Sequence, residues 1–231
     1  SCGATLADAN PDTLAIAGTL DLAPGASCAI RVPVSAAAEG DYPVATGPVT
    51  SSTVPPAASA GATLRVALPL TATKAFDPAL LPARGVTRLL VTITNPSALF
   101  AATGVGFSDP LPAGLRVALP PDATNGCGGS FAPAAGDTVV TLTGGTLAPG
   151  ASCDLGVDLF VAPEAGGSLL NVADPVSAEG FPPGNSAEAT LAVEPTLAVP
   201  ALDALGLAAL ALALAGLGLR RTARRRRLGG G

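Results

Sequence analysis

The sequence predicts an all-β protein: antiparallel immunoglobulin-like β-sandwich modules in tandem, followed by one C-terminal transmembrane α-helix. Three observations carry this expectation. Apolar and polar residues alternate through short runs that end at Pro, Gly or Asn, the period of half-buried strands. A stretch of seven residues occurs twice, 125 positions apart, each copy ending in the second cysteine of an equally spaced pair. Near the C-terminus an almost wholly apolar stretch runs straight into a cluster of arginines.

The repeat sets the domain organisation. Leu22-Ala23-Pro24-Gly25-Ala26-Ser27-Cys28 returns unchanged as Leu147-Ala148-Pro149-Gly150-Ala151-Ser152-Cys153, and Cys2 and Cys127 each lie 26 positions before their partners. Ala62-Thr63-Leu64-Arg65-Val66 answers Ala189-Thr190-Leu191-Ala192-Val193 at an offset of 127. Residues 1–70 therefore read as the C-terminal part of a first β-sandwich module and residues 71–195 as a complete second one. Residues 196–231 form a terminal segment of different character. The chain opens inside a module, so an export signal is expected upstream of Ser1.

Within the second module the strands come in order along the chain. Leu89, Val91 and Ile93 alternate before the Asn95-Pro96 breaker, and Val105 and Phe107 alternate before Asp109-Pro110. A Pro-Gly turn leads into Cys153, Leu155, Val157, Leu159 and Val161 on one face, with Asp154, Asp158 and Phe160 on the other. Ala187, Ala189, Leu191 and Val193 close the module. In the first module Cys28, Ile30, Val32 and Val34 repeat the pattern after the same turn, which predicts a strand entering the core at Cys28. Seven or eight strands in about 125 residues fit an antiparallel sandwich.

Four cysteines allow three pairings. The repeat favours the two within modules, Cys2 to Cys28 and Cys127 to Cys153, because each module then folds with its own pair. Closing such a loop contributes about 3.5 kcal/mol through the unfolded chain. A Cys₄ zinc site and free thiols are the competing readings, although zinc sites favour cysteines two to four residues apart.

The terminal segment reads as a membrane span. Residues 201–219 hold eight Leu, seven Ala, three Gly and Asp203, without Pro, and a helix of that length reaches about 28 Å, close to the bilayer's hydrocarbon thickness. Arg220, Arg221, Arg224, Arg225, Arg226 and Arg227 come directly after it. The positive-inside bias puts this basic tail in the cytoplasm and residues 1–199 outside it. Those residues carry six basic against sixteen acidic groups, a balance that repels phosphate backbones and argues against nucleic-acid binding.

Val199-Pro200-Ala201-Leu202-Asp203-Ala204-Leu205-Gly206, with the apolar run and arginines behind it, resembles the bacterial IPTL-CTERM sorting signal. Val199, Pro200, Leu202 and Gly206 carry the resemblance; Ala201, Ala204 and Leu205 stand where that pattern has Thr, Glu and Trp. It implies an exported Gram-negative protein, inner-membrane anchored at least transiently, that meets export and sorting or processing machinery. Thr73-Lys74-Ala75-Phe76-Asp77-Pro78, Leu90-Val91-Thr92-Ile93-Thr94-Asn95-Pro96 and the stretch from Phe107 to Leu115 resemble a "conserved repeat" group of bacterial surface domains of unknown function. Cys127-Gly128-Gly129 and Gly150-Ala151-Ser152-Cys153 are similar to its cysteine-bearing branch. That resemblance implies Ig-like stalk or spacer modules on a cell-surface or secreted protein.

Chemistry is sparsely announced. The chain has no His, which excludes Ser-His-Asp and Cys-His relays and the commonest metal ligand. Lys74, the sole lysine, has no serine placed to make a nucleophile pair and reads as a solvated strand-edge residue. Asp109, Asp154, Asp158, Asp174 and Glu179 are the carboxylates available to a calcium ion or a hydrolase pair. None has calcium-loop spacing; Asp109 before Pro110 reads as a turn residue, and Asp154 and Asp158 as outward-facing. Gly128-Gly129 and Gly144-Gly145 lack the Lys-Ser or Lys-Thr step of a phosphate loop and read as turns. The expectation is a non-enzymatic spacer without metal or cofactor, whose extracellular partner is unknown. The alternative is an adhesin-like module that recognises a glycan or protein, with or without calcium.

Overall fold

The computed structural model describes residues 5–10, 13–17 and 21–194. Cys2, the sorting motif at Val199, Pro200, Leu202 and Gly206, the apolar run 201–219 and the six terminal arginines lie outside the described residues. No helix among the described residues is long and apolar enough to cross a membrane. The chain divides into two compact units: Ser1–Leu68 with Ser97–Phe100, and Pro69–Pro96 with Ala101 onward.

Among its described residues the first unit contains two hairpins. β1 (Thr5–Asn10) pairs antiparallel with β2 (Thr13–Ala17), and β3 (Gly40–Ala45) with β4 (Gly61–Val66). Across the second hairpin Arg65 Nε and Nη2 donate to the two carboxylate oxygens of Asp41, at 2.8 and 3.0 Å. The guanidinium holds the Asp41 carboxyl below its ordinary range.

Both copies of the repeated heptapeptide make the same turn. Ala26 N–H donates to Ala23 O at 2.9 Å and Ala151 N–H to Ala148 O at 3.1 Å, with Gly25 at φ 75° and Gly150 at φ 68°. Pro then Gly with positive φ at the second central position is the type II arrangement. The two turns lead into different structures. Ser152 opens a ten-residue strand, but residues 28–34 form no strand, and Ile30 and Val34 are 42% and 66% exposed. The strand expected there is therefore corrected: among the described residues no ladder neighbour runs beside it, and alternation buries a face only where another sheet covers it.

Among the described residues the second unit is a two-layer sandwich of ten strands, β5 to β14. One layer has the order β10 (Thr124–Asn125), β12 (Ser152–Val161), β7 (Val86–Thr94), β5 (Thr71–Asp77), with β9 (Leu115–Val117) also on β12. The other joins β11 (Val139–Leu147) and β8 (Ala102–Pro110) to β13 (Gly167–Val172), β14 (Glu188–Glu194) and β6 (Leu80–Pro82). The join is made by residues 174–177, where Asp174 N–H donates to Ser108 O and Ser177 bridges Gly106. One ladder departs from the antiparallel expectation, because β14 and β6 run parallel, Ala192 opposite Leu80. Nearly the whole module separates these two strands, so no tight turn forces them antiparallel.

The alternations are realised as burial. Leu89, Val91 and Ile93 of β7 and Leu155, Val157, Leu159 and Val161 of β12 face Val105 and Phe107 of β8 and Val140 and Leu142 of β11. Gly144-Gly145, expected as a turn, lies inside β11, where the register on β8 shifts between Leu142 and Gly145 and again before Leu147. A side chain at 145 would press on Cys127 O and Val105, so the extra backbone is taken up as a bulge. At the edge of the first layer, Asn185 Nδ2 donates to Ala72 O at 2.9 Å while its Oδ1 accepts from Ala72 N–H at 2.8 Å.

The disulfide loop depends on a glycine. Cys127 and Cys153 are bonded, with Cα atoms 5.0 Å apart, tying the loop after β10 to the start of β12. Gly129 in that loop has φ 65°, and a Cβ there would lie 2.2 Å from Thr143 O. Gly129→Ala is expected to cost on the order of 2 kcal/mol through strained backbone alone, read as a lower urea midpoint with unchanged slope. An unchanged midpoint would show that the loop relaxes freely.

Candidate functional site

The polar group of greatest consequence lies inside the sandwich. On β5 the buried positions are Ala72 and Phe76, so Lys74 between them points the same way, into the core. On β8 the inward phase runs Val105, Phe107, Asp109. On β13 it reaches Asn171, with Ala173 buried just beyond. Three strands thus deliver an ammonium, a carboxylate and a carboxamide to one place.

Their contacts are close. Lys74 Nζ donates to Asp109 Oδ1 at 2.9 Å and to Oδ2 at 3.0 Å, and Asn171 Nδ2 donates to the same Oδ2 at 3.0 Å. The Lys74 and Asp109 side chains are both 0% exposed, and Asn171 is 1% exposed. Asn171 Oδ1 is buried and has no hydrogen-bond partner among the described residues. Such an orphan costs the full desolvation of a carbonyl.

Burial dominates the electrostatics of the pair. It lowers the Lys74 pKa against the opposing pull of Asp109. It raises that of Asp109, against hydrogen bonds from Lys74 and Asn171 and with help from the charge of Asp174. Both shifts are toward the neutral forms, so burial weakens the hold of the pair on its charges.

This overturns two expectations. Lys74 is not a solvated edge residue, because its strand position faces inward, and Asp109 is not an exposed turn residue, because β8 runs through it to Pro110. Asn171 was not singled out by sequence; its inward phase on β13 was the available signal.

The other carboxylates are spent on the surface. Asp158 pairs with Arg88 at 2.8 Å, Asp154 accepts from Thr92 Oγ1 at 2.7 Å, and Glu179 faces Thr103 at 3.5 Å. No group of three or more acidic or cysteine side chains suited to a metal occurs among the described residues. Cys28 is disulfide-bonded, and its expected partner Cys2 lies outside the described residues.

The model of a domain of unknown function, DUF7933, matches residues 70–193. The chain belongs to this family. The match spans the sandwich from just before β5 into β14, so the buried cluster and the disulfide are both inside the DUF7933 domain. No curated protein matches the chain. Among solved structures it is similar to BslA, a bacterial hydrophobin, at 17% identity and TM-score 0.36, covering 55% of this chain and 93% of that one. It is also similar to the collagen adhesin of S. aureus, at 12% and 0.37, with 59% and 54% covered. The major pilin subunit of Bacillus cereus matches at 14% and 0.40, with 67% and 48% covered. The chain spans about half the length of the adhesin and pilin structures.

Proposed function

We propose that this DUF7933 protein is a non-enzymatic, exported surface or secreted protein whose sandwich serves as a stalk or spacer attached to a C-terminal membrane anchor. The observation that carries the reading is the Cys127–Cys153 disulfide. A cystine built into the core side of β12 belongs to an oxidising compartment rather than to a reducing cytosol. The apolar run 201–219 and the arginines behind it supply the anchor and its orientation. The acidic balance of residues 1–199 suits a solvated, extended array.

The test is export with the natural upstream region in a Gram-negative host, then intact mass under non-reducing conditions. Molecules ending before Arg220 with paired cysteines are the expected result for a sorted and trimmed protein; a full-length species extracted from membranes would mean a lasting anchor. Retention in the cytosol with free thiols would overturn the proposal. A melting shift on adding calcium would instead favour a ligand-binding role, since a ligand of the folded form raises its stability.

A further inference from the structure

We propose that the sandwich closes a covalent cross-link on itself, an amide between Lys74 Nζ and Asn171 Cγ, with Asp109 as the catalytic residue. The chemistry concerns the core of the module alone and stands whether or not the protein is exported.

The arrangement is that of reactants. A primary amine and a carboxamide both donate to one oxygen, Asp109 Oδ2, at 3.0 Å each, so nucleophile, electrophile and proton carrier share one point. All three side chains are closed to solvent, which excludes water as a competing nucleophile. Three strands hold them, so most of the orientation entropy of a bimolecular condensation is already spent. An amine is nucleophilic only when unprotonated, and desolvation drives Lys74 toward that form and Asp109 toward the acid.

The atoms balance without an outside reagent. Lys74 passes one proton to Asp109, giving an amine and a carboxylic acid. Asp109 keeps its contact with Nδ2, so the acid proton lies at the leaving nitrogen. Nζ attacks Cγ, a second proton moves from Nζ through Asp109 to Nδ2, the Cγ–Nδ2 bond breaks and ammonia leaves. The products are the Nζ–Cγ amide, a protonated Asp109 and one ammonia.

The ground state supplies the reason. Before reaction the core holds an ammonium, a carboxylate and an unpartnered carbonyl. Afterwards it holds no charge, and the carboxyl of Asp109 donates to the former Oδ1. Asn171 is the acyl partner because Asp109, in contact with both nitrogens, serves as the proton carrier. Asp109 touches both the attacking and the leaving nitrogen, the position of a proton shuttle.

The experiment is a mass and peptide map of the full folded chain, denatured and reduced. The expected mass is lower than that of the sequence by one ammonia, beyond any trimming of the ends. Trypsin is expected to leave Lys74 uncut and to release residues 66–84 joined to the fragment that begins at Val117, with the link fragmenting to Lys74 and Asn171. Lys74→Arg keeps a cation without a primary amine, and Asp109→Ala removes the shuttle; both are expected to have full mass. The wild-type map decides alone if either variant fails to fold. Ordinary cleavage after Lys74 in cooperatively melting protein would overturn the proposal. So would a link from Lys74 to residues 89–116 with loss of water, which would make Asp109 the acyl partner.

Discussion

Lys74→Ala is expected to destabilise the sandwich by about 4 kcal/mol relative to the unlinked Lys74–Asp109 pair, because removing one member of a buried ion pair strands the other, and loss of the cross-link adds to this. The carboxylate of Asp109 would keep only the Asn171 amide, with its side chain closed to water. It would then take up a proton or open the core to solvent, and either route lowers stability. For a domain of about 125 residues this corresponds to a fall in Tm of roughly 15 °C. The informative comparison is Lys74→Met combined with Asp109→Asn. That pair leaves no charge in the core and retains an acceptor for Asn171 Nδ2, so it should be distinctly more stable than Lys74→Ala alone. Urea titrations of the three proteins provide the measurement. A loss below about 1 kcal/mol for Lys74→Ala would mean that the pair contributes little beyond its own desolvation.

Cys127→Ala with Cys153→Ala is expected to be the other large loss, about 3.5 kcal/mol by the entropy of a 26-residue loop. The loop does not hang on the disulfide alone: Gly126 N–H donates to Asp154 O, and Thr146 N–H to Cys127 O. Asn125 also accepts from Cys127 N–H and donates to Gly128 O. The double variant should therefore fold to the same structure and unfold at lower urea with a slightly larger slope, since the released chain exposes more surface when unfolded. An unchanged midpoint would place the stabilisation in these hydrogen bonds instead of the cross-link.

Much of the second module is legible in sequence because period two is a local signal. Leu89-Val91-Ile93 and Cys153 through Val161 alternate strictly, and the sheets bury those faces. The heptapeptide turns are equally local, set by Pro and Gly at fixed positions. The strand expected after Cys28 fails for a non-local reason: Ile30, Val32 and Val34 alternate as well as their counterparts, but alternation says nothing of whether a neighbour is present. The parallel pairing of β6 with β14 has no local signature either.

The buried cluster was half legible. Lys74 lies in phase with Ala72 and Phe76, Asp109 with Val105 and Phe107, and Asn171 with Ala173, so phase alone assigns all three inward. Composition pulls the other way, because lysine and aspartate are ordinarily solvated. What one sequence cannot supply is that three polar residues, separated by 35 and 62 positions along the chain, converge so that each answers for the burial of the others.

The edges of the two layers have a consequence for life in a crowd. β11 is kinked twice by its bulge, β6 is three residues long and ends at Pro82, and the rim of β5 is occupied at Ala72 by the carboxamide of Asn185. A long, regular, vacant rim is the template on which sheets of different molecules zip together. Here each of these rims is bent, short or already occupied, so copies held side by side at high density are refused a straight row of amide hydrogens and carbonyls. At these three rims a strand of a neighbouring chain meets a bend, an early end or an occupied residue, which works against polymerisation through the sheets.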